Sequence, residues 1–396
     1  MSEQNVYIVA AKRSAVTKGK RGGFAKKRPD DLLADILSVT VKESGINPED
    51  IGDVVIGCAM PEGEQGMNVA RISTLLAGLP DSVPAFTINR YCSSGLQSIA
   101  IAANEIARGN MEVAIAGGIE SMSMIPFGGH NISFSSEIFT KDENVAIAYG
   151  MGITAENVAK DWNISREQQD EFALKSHQKA LSAIENGYLK DEIVPVEVHH
   201  RKPDEAKDKI IDHKKVIQQD EGARADTSLE ALAKLKPVFA EGGSVTAGNS
   251  SQVSDGAAAV VLVSESYLKK HNLKPLGKFL GFAVAGVPAR IMGIGPIKAI
   301  PKVLEQTNLT LENIDWIELN EAFAAQSLAV MNELKLDEAK VNPCGGAIAL
   351  GHPLGATGAV LTVKALHGLR RTGKKYGMIT MCIGTGMGAA GIIEAC

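Results

Sequence analysis

Three side chains, far apart in the sequence, share contexts that suit acyl chemistry. Cys92 lies in Asn89-Arg90-Tyr91-Cys92-Ser93-Ser94-Gly95. His352 lies in Gly345-Gly346-Ala347-Ile348-Ala349-Leu350-Gly351-His352-Pro353-Leu354-Gly355, and Cys382 in Met381-Cys382-Ile383-Gly384-Thr385-Gly386. A thiol nucleophile, a base to deprotonate it and a second thiol acting as acid and base are what making and breaking a thioester requires.

Each context supports a role, and each residue also has a plainer reading. Cys92 is followed by a Ser-Ser-Gly flank and then by Leu96, Ile99, Ala100, Ala103 and Ile106 at helical spacing. It is therefore expected at a helix N-terminus, where free N–H groups and the macrodipole favour a thiolate and can hold an oxyanion. The alternative is a small buried hydrophobe, the usual fate of a free cysteine. Glycines frame His352 closely and allow unusual backbone angles, although a loop histidine can also be simply solvated. Cys382 ends the apolar run Gly377–Ile383. That is a strand C-terminus, where α/β sheets bind ligands, or equally a core position. Asn320, after the strand Trp316–Leu319, has an amide able to hold a water or an oxyanion, and would serve turn chemistry equally.

The elements that position these residues read as alternating strands and helices, an α/β fold class. Val6–Ala10, Asp53–Gly57, Met111–Ala116 and Asp255–Val263 read as strands, and Leu32–Glu43 as an amphipathic helix. The segment 122–252 breaks the alternation. It carries a helical pattern from Thr154 to Gly187, with a capping box at Ser165-Arg166-Glu167-Gln168. The charged stretch Arg201 to Lys215 reads as solvated surface. Residues 1–121 with 253–274 then form one half, 122–252 an inserted loop domain, and 275–396 a second half. An internal echo supports two halves: Ile46–Ile56 resembles Leu309–Leu319, and each is followed by a turn, an apolar helix (from Leu96 and from Ala359) and a strand. Cys92 and His352 sit at matching helix starts, so a pseudo-twofold would bring them to one site.

Composition narrows the classes. At 396 residues the chain exceeds one ordinary core, and 45% hydrophobic with 22% charged residues is globular. A net charge of −5 argues against a duplex nucleic-acid binder. The five cysteines show no Cys-x-x-Cys and no metal-ligand spacing, so neither a disulfide framework nor a zinc site is expected. The apolar run at Val6–Ala11 is short for a signal peptide, and no stretch is long enough to span a bilayer. The expectation is a soluble protein of the cytoplasm with reduced thiols. Gly386-Met387-Gly388-Ala389-Ala390-Gly391 fits a dinucleotide fingerprint, but only Ile392–Cys396 follow it, so no nucleotide redox cofactor is expected.

Taken together the motifs resemble the thiolases, on the degradative 3-ketoacyl-CoA thiolase (acetyl-CoA acyltransferase) side. The resemblance covers essentially the whole chain. It is carried by Asn89–Gly95, Gly117–Met122, Met151–Asn157, Thr246–Asn249, Asn320–Phe323, Gly345–Gly355 and Cys382–Gly388. It implies two similar βαβαβαββ halves in five αβαβα layers with an inserted loop domain. It also implies that Cys92 takes up the acyl group, that His352 activates it, and that Cys382 exchanges a proton with the CoA thiol or the acetyl carbon. One oxyanion hole would use His352 and a water held by Asn320, the other the backbone N–H groups of Cys92 and Gly384. Coenzyme A, a co-substrate, would run past Arg224 at its adenosine end. Ala247, Ser251 and Phe323 would follow its pantetheine, and Met151 would lie along the same site. Implied partners are 3-ketoacyl-CoA, CoA, further copies of the chain in a homodimer or homotetramer, and a β-oxidation hydratase/dehydrogenase.

One departure bears on substrate choice. Short-chain acetoacetyl-CoA thiolases typically have a histidine where this chain has Gly150, which leaves more acyl room. The expected function is thiolytic cleavage of 3-ketoacyl-CoA in fatty acid β-oxidation. The alternatives are a biosynthetic acetoacetyl-CoA thiolase and, from another class, a CoA- or lipid-binding protein of the same fold without turnover. A condensing ketoacyl synthase would carry a second histidine where Asn320 stands.

Overall fold

The computed structural model of the chain describes residues 4–204 and 209–396. Its strands are β1 (Val6–Arg13), β2 (Thr17–Lys18), β3 (Asp53–Gly57), β4 (Ala85–Ile88), β5 (Val113–Ser121), β6 (Val196–Asp204), β7 (Lys209–Ile217), β8 (Ser254–Ser264), β9 (Gly277–Gly286), β10 (Trp316–Leu319), β11 (Tyr376–Ile383) and β12 (Met387–Ala395). Ten of them follow the path β10-β11-β12-β9-β1-β8-β5-β3-β4, with β2 beside β8.

The path is two copies of one pattern. In the N-terminal copy β4, β3 and β5 run parallel, then β8 and β1 return antiparallel. In the C-terminal copy β10 and β11 are parallel, then β12 and β9 return antiparallel. The counterpart of β4 has shrunk to a parallel bridge between Ile317 and Val341. The copies join as one sheet through the antiparallel pairs Val6↔Phe279, Tyr7↔Lys278 and Ile8↔Gly277.

Two helices lie between the copies. The Ser94–Ala107 helix packs on β3 and β5 of its own half and on β9 of the other. The Leu354–Thr372 helix packs on β5 and β8 as well as on β10 and β11. The Pro29–Ser44 helix covers β1 and β8 from outside, and the Gly295–Thr307 helix covers β9 and β12. The order is helix, sheet, paired helices, sheet, helix. The middle layers are closed to water, which explains why their sequences lack alternation: every residue of β5 and β8 is buried.

Where the central helices cross, backbone meets backbone. A Cβ on Gly95 would lie 2.7 Å from the Ala359 nitrogen and 2.9 Å from the Gly355 carbonyl oxygen, and one on Gly358 would collide with the Leu96 nitrogen. Glycine at both positions lets the two helix starts, and the turns before them, approach each other.

The sequence-derived strands and the first helix lie within a few residues of those observed. The helical pattern after Thr154 is two helices, Met151–Asp161 and Arg166–Glu185, broken before the capping box at Ser165 and Gln168. The second central helix starts at Leu354 rather than Ala359, so His352 sits two residues before it. Of the charged stretch Arg201–Lys215, the flanking residues form the β6–β7 hairpin and 205–208 lie outside the described residues. The glycine-rich Gly386–Gly391 segment opens β12 and is locked between β9 and β11.

Candidate active site

Cys92 occupies a 3-10 turn, Tyr91–Ser93, at the entry to the Ser94–Ala107 helix. Tyr91 adopts φ +44, a left-handed conformation that is costly for an aromatic residue. Three hydrogen bonds hold it there: Tyr91 N–H donates to Asn89 Oδ1 (2.7 Å), Arg90 N–H to Ser94 Oγ (2.8 Å), and the Ser94 hydroxyl to the Tyr91 carbonyl (2.7 Å). The strained turn aims the Cys92 sulfur at the C-terminal half, where the backbone N–H of Gly384 and that of Cys92 itself both point at it.

The thiol is not a resting thiolate. Burial pushes its pKa up to about 12, and the Glu120 carboxylate adds to that rise. The two N–H groups pull the other way and lose. The sequence-based expectation of a lowered pKa is therefore corrected: regular helix begins only at Ser94, and desolvation outweighs the helix-terminal dipole.

His352 is 4% exposed and follows Gly351, whose φ of +107 and contact with Ser254 leave no room for a side chain. Its N–H lies 3.2 Å from both Ser254 Oγ and the Gln252 carbonyl. The imidazole Nδ1 is 2.6 Å from Thr357 Oγ1, and the Thr357 hydroxyl donates to the Pro353 carbonyl at 3.1 Å. That hydroxyl proton being spent, the oxygen accepts from Nδ1–H, which assigns the tautomer with a bare Nε2. Burial lowers the pKa of His352 to about 4, so the ring rests neutral. Its Nε2 lies 3.4 Å from Asn320 Nδ2. Asn320 Oδ1 is buried with no hydrogen-bond partner among the described residues.

Cys382 is fully buried at the end of β11, and burial and the neighbouring Cys92 raise its pKa. It packs in one cluster with Phe323, Met151, Ala322, Met292 and Val245. A Cβ on Gly384 would be 3.8 Å from Met151 Sδ and from the Tyr91 ring. The loop carrying Ala247 and Ser251 docks on the same wall: Ser251 N–H donates to the Ala322 carbonyl (2.9 Å), and the Phe323 ring meets Phe239 edge-on at 6.1 Å. Met151 and Phe323 thus pack around Cys382, and Ser251 is tied by its backbone to the neighbouring Ala322. Arg224 stands apart from it. Its side chain is exposed and paired with Asp226 (2.9 Å), while its backbone N–H meets His177 Nδ1.

Sequence reasoning missed two residues that position these groups. Thr357 follows His352 by little more than one helical turn, a spacing that could have flagged it. Glu120 lies inside the motif Gly117–Met122, with no sequence signal for where its carboxylate would point.

Two sheet copies that bring a cysteine turn, a histidine turn and a second cysteine to their seam define an acyl-transfer protein of the thiolase class. The chain belongs to the thiolase family: the model of the thiolase N-terminal domain matches residues 6–266 and that of the C-terminal domain residues 273–395. It is similar to 3-ketoacyl-CoA thiolase of Bacillus subtilis (strain 168), with 51% identity over 99% of this chain and 100% of that protein. It is also similar to the human peroxisomal 3-ketoacyl-CoA thiolase, with 45% identity over 99% of this chain and 91% of the relative. Among solved structures it resembles the acetyl-CoA acetyltransferase of Bacillus anthracis, with TM-score 0.89, 41% identity and full coverage of both chains.

Proposed function

We propose that the chain is an acetyl-CoA C-acyltransferase that cleaves 3-ketoacyl-CoA with CoA into acetyl-CoA and a shortened acyl-CoA. The observation that carries this reading is the neutral His352, its bare Nε2 beside Asn320, across the helix crossing from a protonated thiol covered by two N–H groups. A half-buried thiol and a buried neutral base transfer a proton only when an electrophile arrives to make the thiolate useful.

In this reading the His352 Nε2 takes the Cys92 proton as sulfur attacks the 3-keto carbon. Nε2–H then becomes a donor to the new oxyanion, together with a water held by Asn320. The bond between C2 and C3 breaks, and its electron pair leaves as the acetyl-CoA enolate, which Cys382 protonates at C2. Cys382 next takes the proton of an incoming CoA thiol, and that sulfur attacks the Cys92 thioester. The N–H groups of Cys92 and Gly384 hold the second oxyanion. Cys92 leaves with the proton stored on His352, and the cycle closes.

CoA would follow the wall of Ala247, Ser251, Phe323 and Met151, with Arg224 exchanging its contact to Asp226 for a phosphate. The inserted segment 122–252 would supply most of that wall. Among the described residues no helix is long and apolar enough to cross a membrane. The bacterial relative supports a cytoplasmic setting, and the peroxisomal relative supports the alternative compartment. Self-association is supported at the free edge of β4, where Phe86 and the neighbouring Ile72, Leu75 and Leu76 are exposed.

The test is CoA-dependent thiolysis of acetoacetyl-CoA and 3-ketohexadecanoyl-CoA, followed by loss of 3-ketoacyl absorbance. Turnover of the longer substrate, abolished in Cys92→Ser, is expected. Turnover of acetoacetyl-CoA alone would favour the biosynthetic condensation, the same chemistry reversed, and no turnover of either would overturn the enzyme reading.

A further inference from the structure

Glu120, at the end of β5, is 1% exposed, and four N–H donors converge on its two oxygens. Oε2 accepts from Ala59 N–H (2.8 Å) and Gly355 N–H (2.7 Å). Oε1 accepts from Met60 N–H (3.3 Å) and from the Gln65 side chain, which in turn accepts from Ser121 N–H. A protonated carboxyl would have to turn a donor toward donors, so this arrangement requires the carboxylate. Burial raises its pKa, and the four N–H groups oppose that rise.

The two main donors lead to the two reactive turns. Gly355 is the second residue of the Leu354–Thr372 helix, three positions after His352. Ala59 uses its carbonyl to accept from Asn89 Nδ2 (2.9 Å), and Asn89 Oδ1 accepts from Tyr91 N–H, the residue before the nucleophile. Cys92 packs against Ala59, Met122 and Leu354, the residues that border these hydrogen bonds.

We propose that Glu120 is a positioning residue for the reaction: its carboxylate clamps the turn that carries Cys92 to the turn that carries His352. The proposal rests on the acyl-transfer reading above. The function is geometric, since attack tolerates little misplacement of sulfur and base. A negative charge placed near a thiol also disfavours its thiolate, which gives the experiment a readout besides turnover.

The experiment compares Glu120→Gln, Glu120→Asp and Asn89→Ala with the wild type by kcat and KM for CoA in thiolysis, and by the rate of Cys92 alkylation with iodoacetamide against pH. Glu120→Gln removes the charge and turns an amide donor toward other donors. It is expected to lose on the order of 10²-fold in kcat with little change in KM. Its Cys92 should nevertheless alkylate faster at fixed pH, because the thiolate forms more easily. Glu120→Asp keeps the charge but is one methylene short, so kcat falls while the alkylation profile stays. Asn89 is exposed, and Asn89→Ala cuts the link to Tyr91 without opening the core; kcat should fall there too.

Wild-type kcat in Glu120→Gln, or lost kcat with an unmoved alkylation profile, overturns the proposal. If that variant does not fold, wild-type kcat in Asn89→Ala overturns it. A wild-type protein without thiolysis would overturn the acyl-transfer reading instead, and alkylation, which needs no turnover, would still report the effect of Glu120 on Cys92.

Discussion

Lys364 Nζ lies 2.9 Å from Glu318 Oε2, with both side chains sealed from water beneath the loop that carries His352. The same ammonium donates to the Gly345 carbonyl at 2.9 Å, and Trp316 Nε1 donates to Glu318 Oε1 at 2.8 Å. The pair ties the Leu354–Thr372 helix to β10 and anchors the first glycine of the histidine segment. Lys364→Met leaves a buried carboxylate with, among the described residues, only the indole as hydrogen-bond partner, and should destabilise the fold by about 3–5 kcal/mol. Urea unfolding checks this. The double variant Lys364→Met/Glu318→Gln should recover most of the loss, because no unpaired charge remains.

Thr357→Val removes the acceptor for His352 Nδ1–H at nearly constant volume. The imidazole is then free to put its proton on Nε2, where it cannot act as the base. A loss of kcat on the order of 10²-fold is expected, with Thr357→Ser close to wild type. Steady-state thiolysis read beside a thermal melt separates this from unfolding. An unchanged kcat in the valine variant would mean that the tautomer is held by something else.

The buried neutral histidine makes a pH prediction. The pKa of His352 is lowered in the fold to about 4 from an ordinary 6.5. A lowered folded-state value means that the unfolded chain binds the proton first, so stability is intact above about 6.5 and is lost as pH falls through 4. That window is worth about 3 kcal/mol for this one group. His177, also lowered to about 4, contributes with the same sign, and Asp255, raised to about 6, with the opposite sign. The His352→Gln variant isolates the group: its stability relative to wild type should improve by that amount between pH 6.5 and 4. Parallel curves would contradict a neutral resting His352.

Gly150 opens the Met151–Asp161 helix, and a Cβ built there meets no atom within 4 Å. A side chain can therefore start there without collision, next in sequence to Met151, which packs in the Cys382 cluster. Gly150→His should lower kcat/KM for 3-ketohexadecanoyl-CoA by roughly tenfold or more while sparing acetoacetyl-CoA, since a few kcal/mol of lost pocket contact or steric conflict is enough. Equal effects on both substrates would remove Gly150 from the selection of chain length.

The elements were legible in the sequence where burial imposes one pattern. Asp53–Gly57 and Trp316–Leu319 are apolar strands bounded by turn residues, and both appear with those boundaries. The echo between Ile46–Ile56 and Leu309–Leu319 correctly indicated two copies, because both segments enter equivalent strands, β3 and β10. The start of the second central helix was less legible: Leu354–Gly358 is rich in glycine and small residues, which propensity reads as loop, and only packing against the Ser94–Ala107 helix makes it helical. The charge state of Cys92 was not legible at all. A helix N-terminus is a local signal, whereas burial of the thiol and the charge of Glu120 come from residues remote in sequence. Thr357 acts through one hydrogen bond to His352, and Glu120 through four N–H donors, of which Gly355 lies across the seam; composition carries no trace of them.

The crossing at Gly95 and Gly358 sets the nucleophile and its base on opposite sides of a duplicated architecture. Neither repeat by itself holds more than an inert fragment: one has a protonated thiol with nothing to deprotonate it, and the other an uncharged ring and a second thiol with nothing to serve. Competence is thus a property of assembly. Neither half alone therefore presents a sulfur–imidazole pair to an acyl thioester.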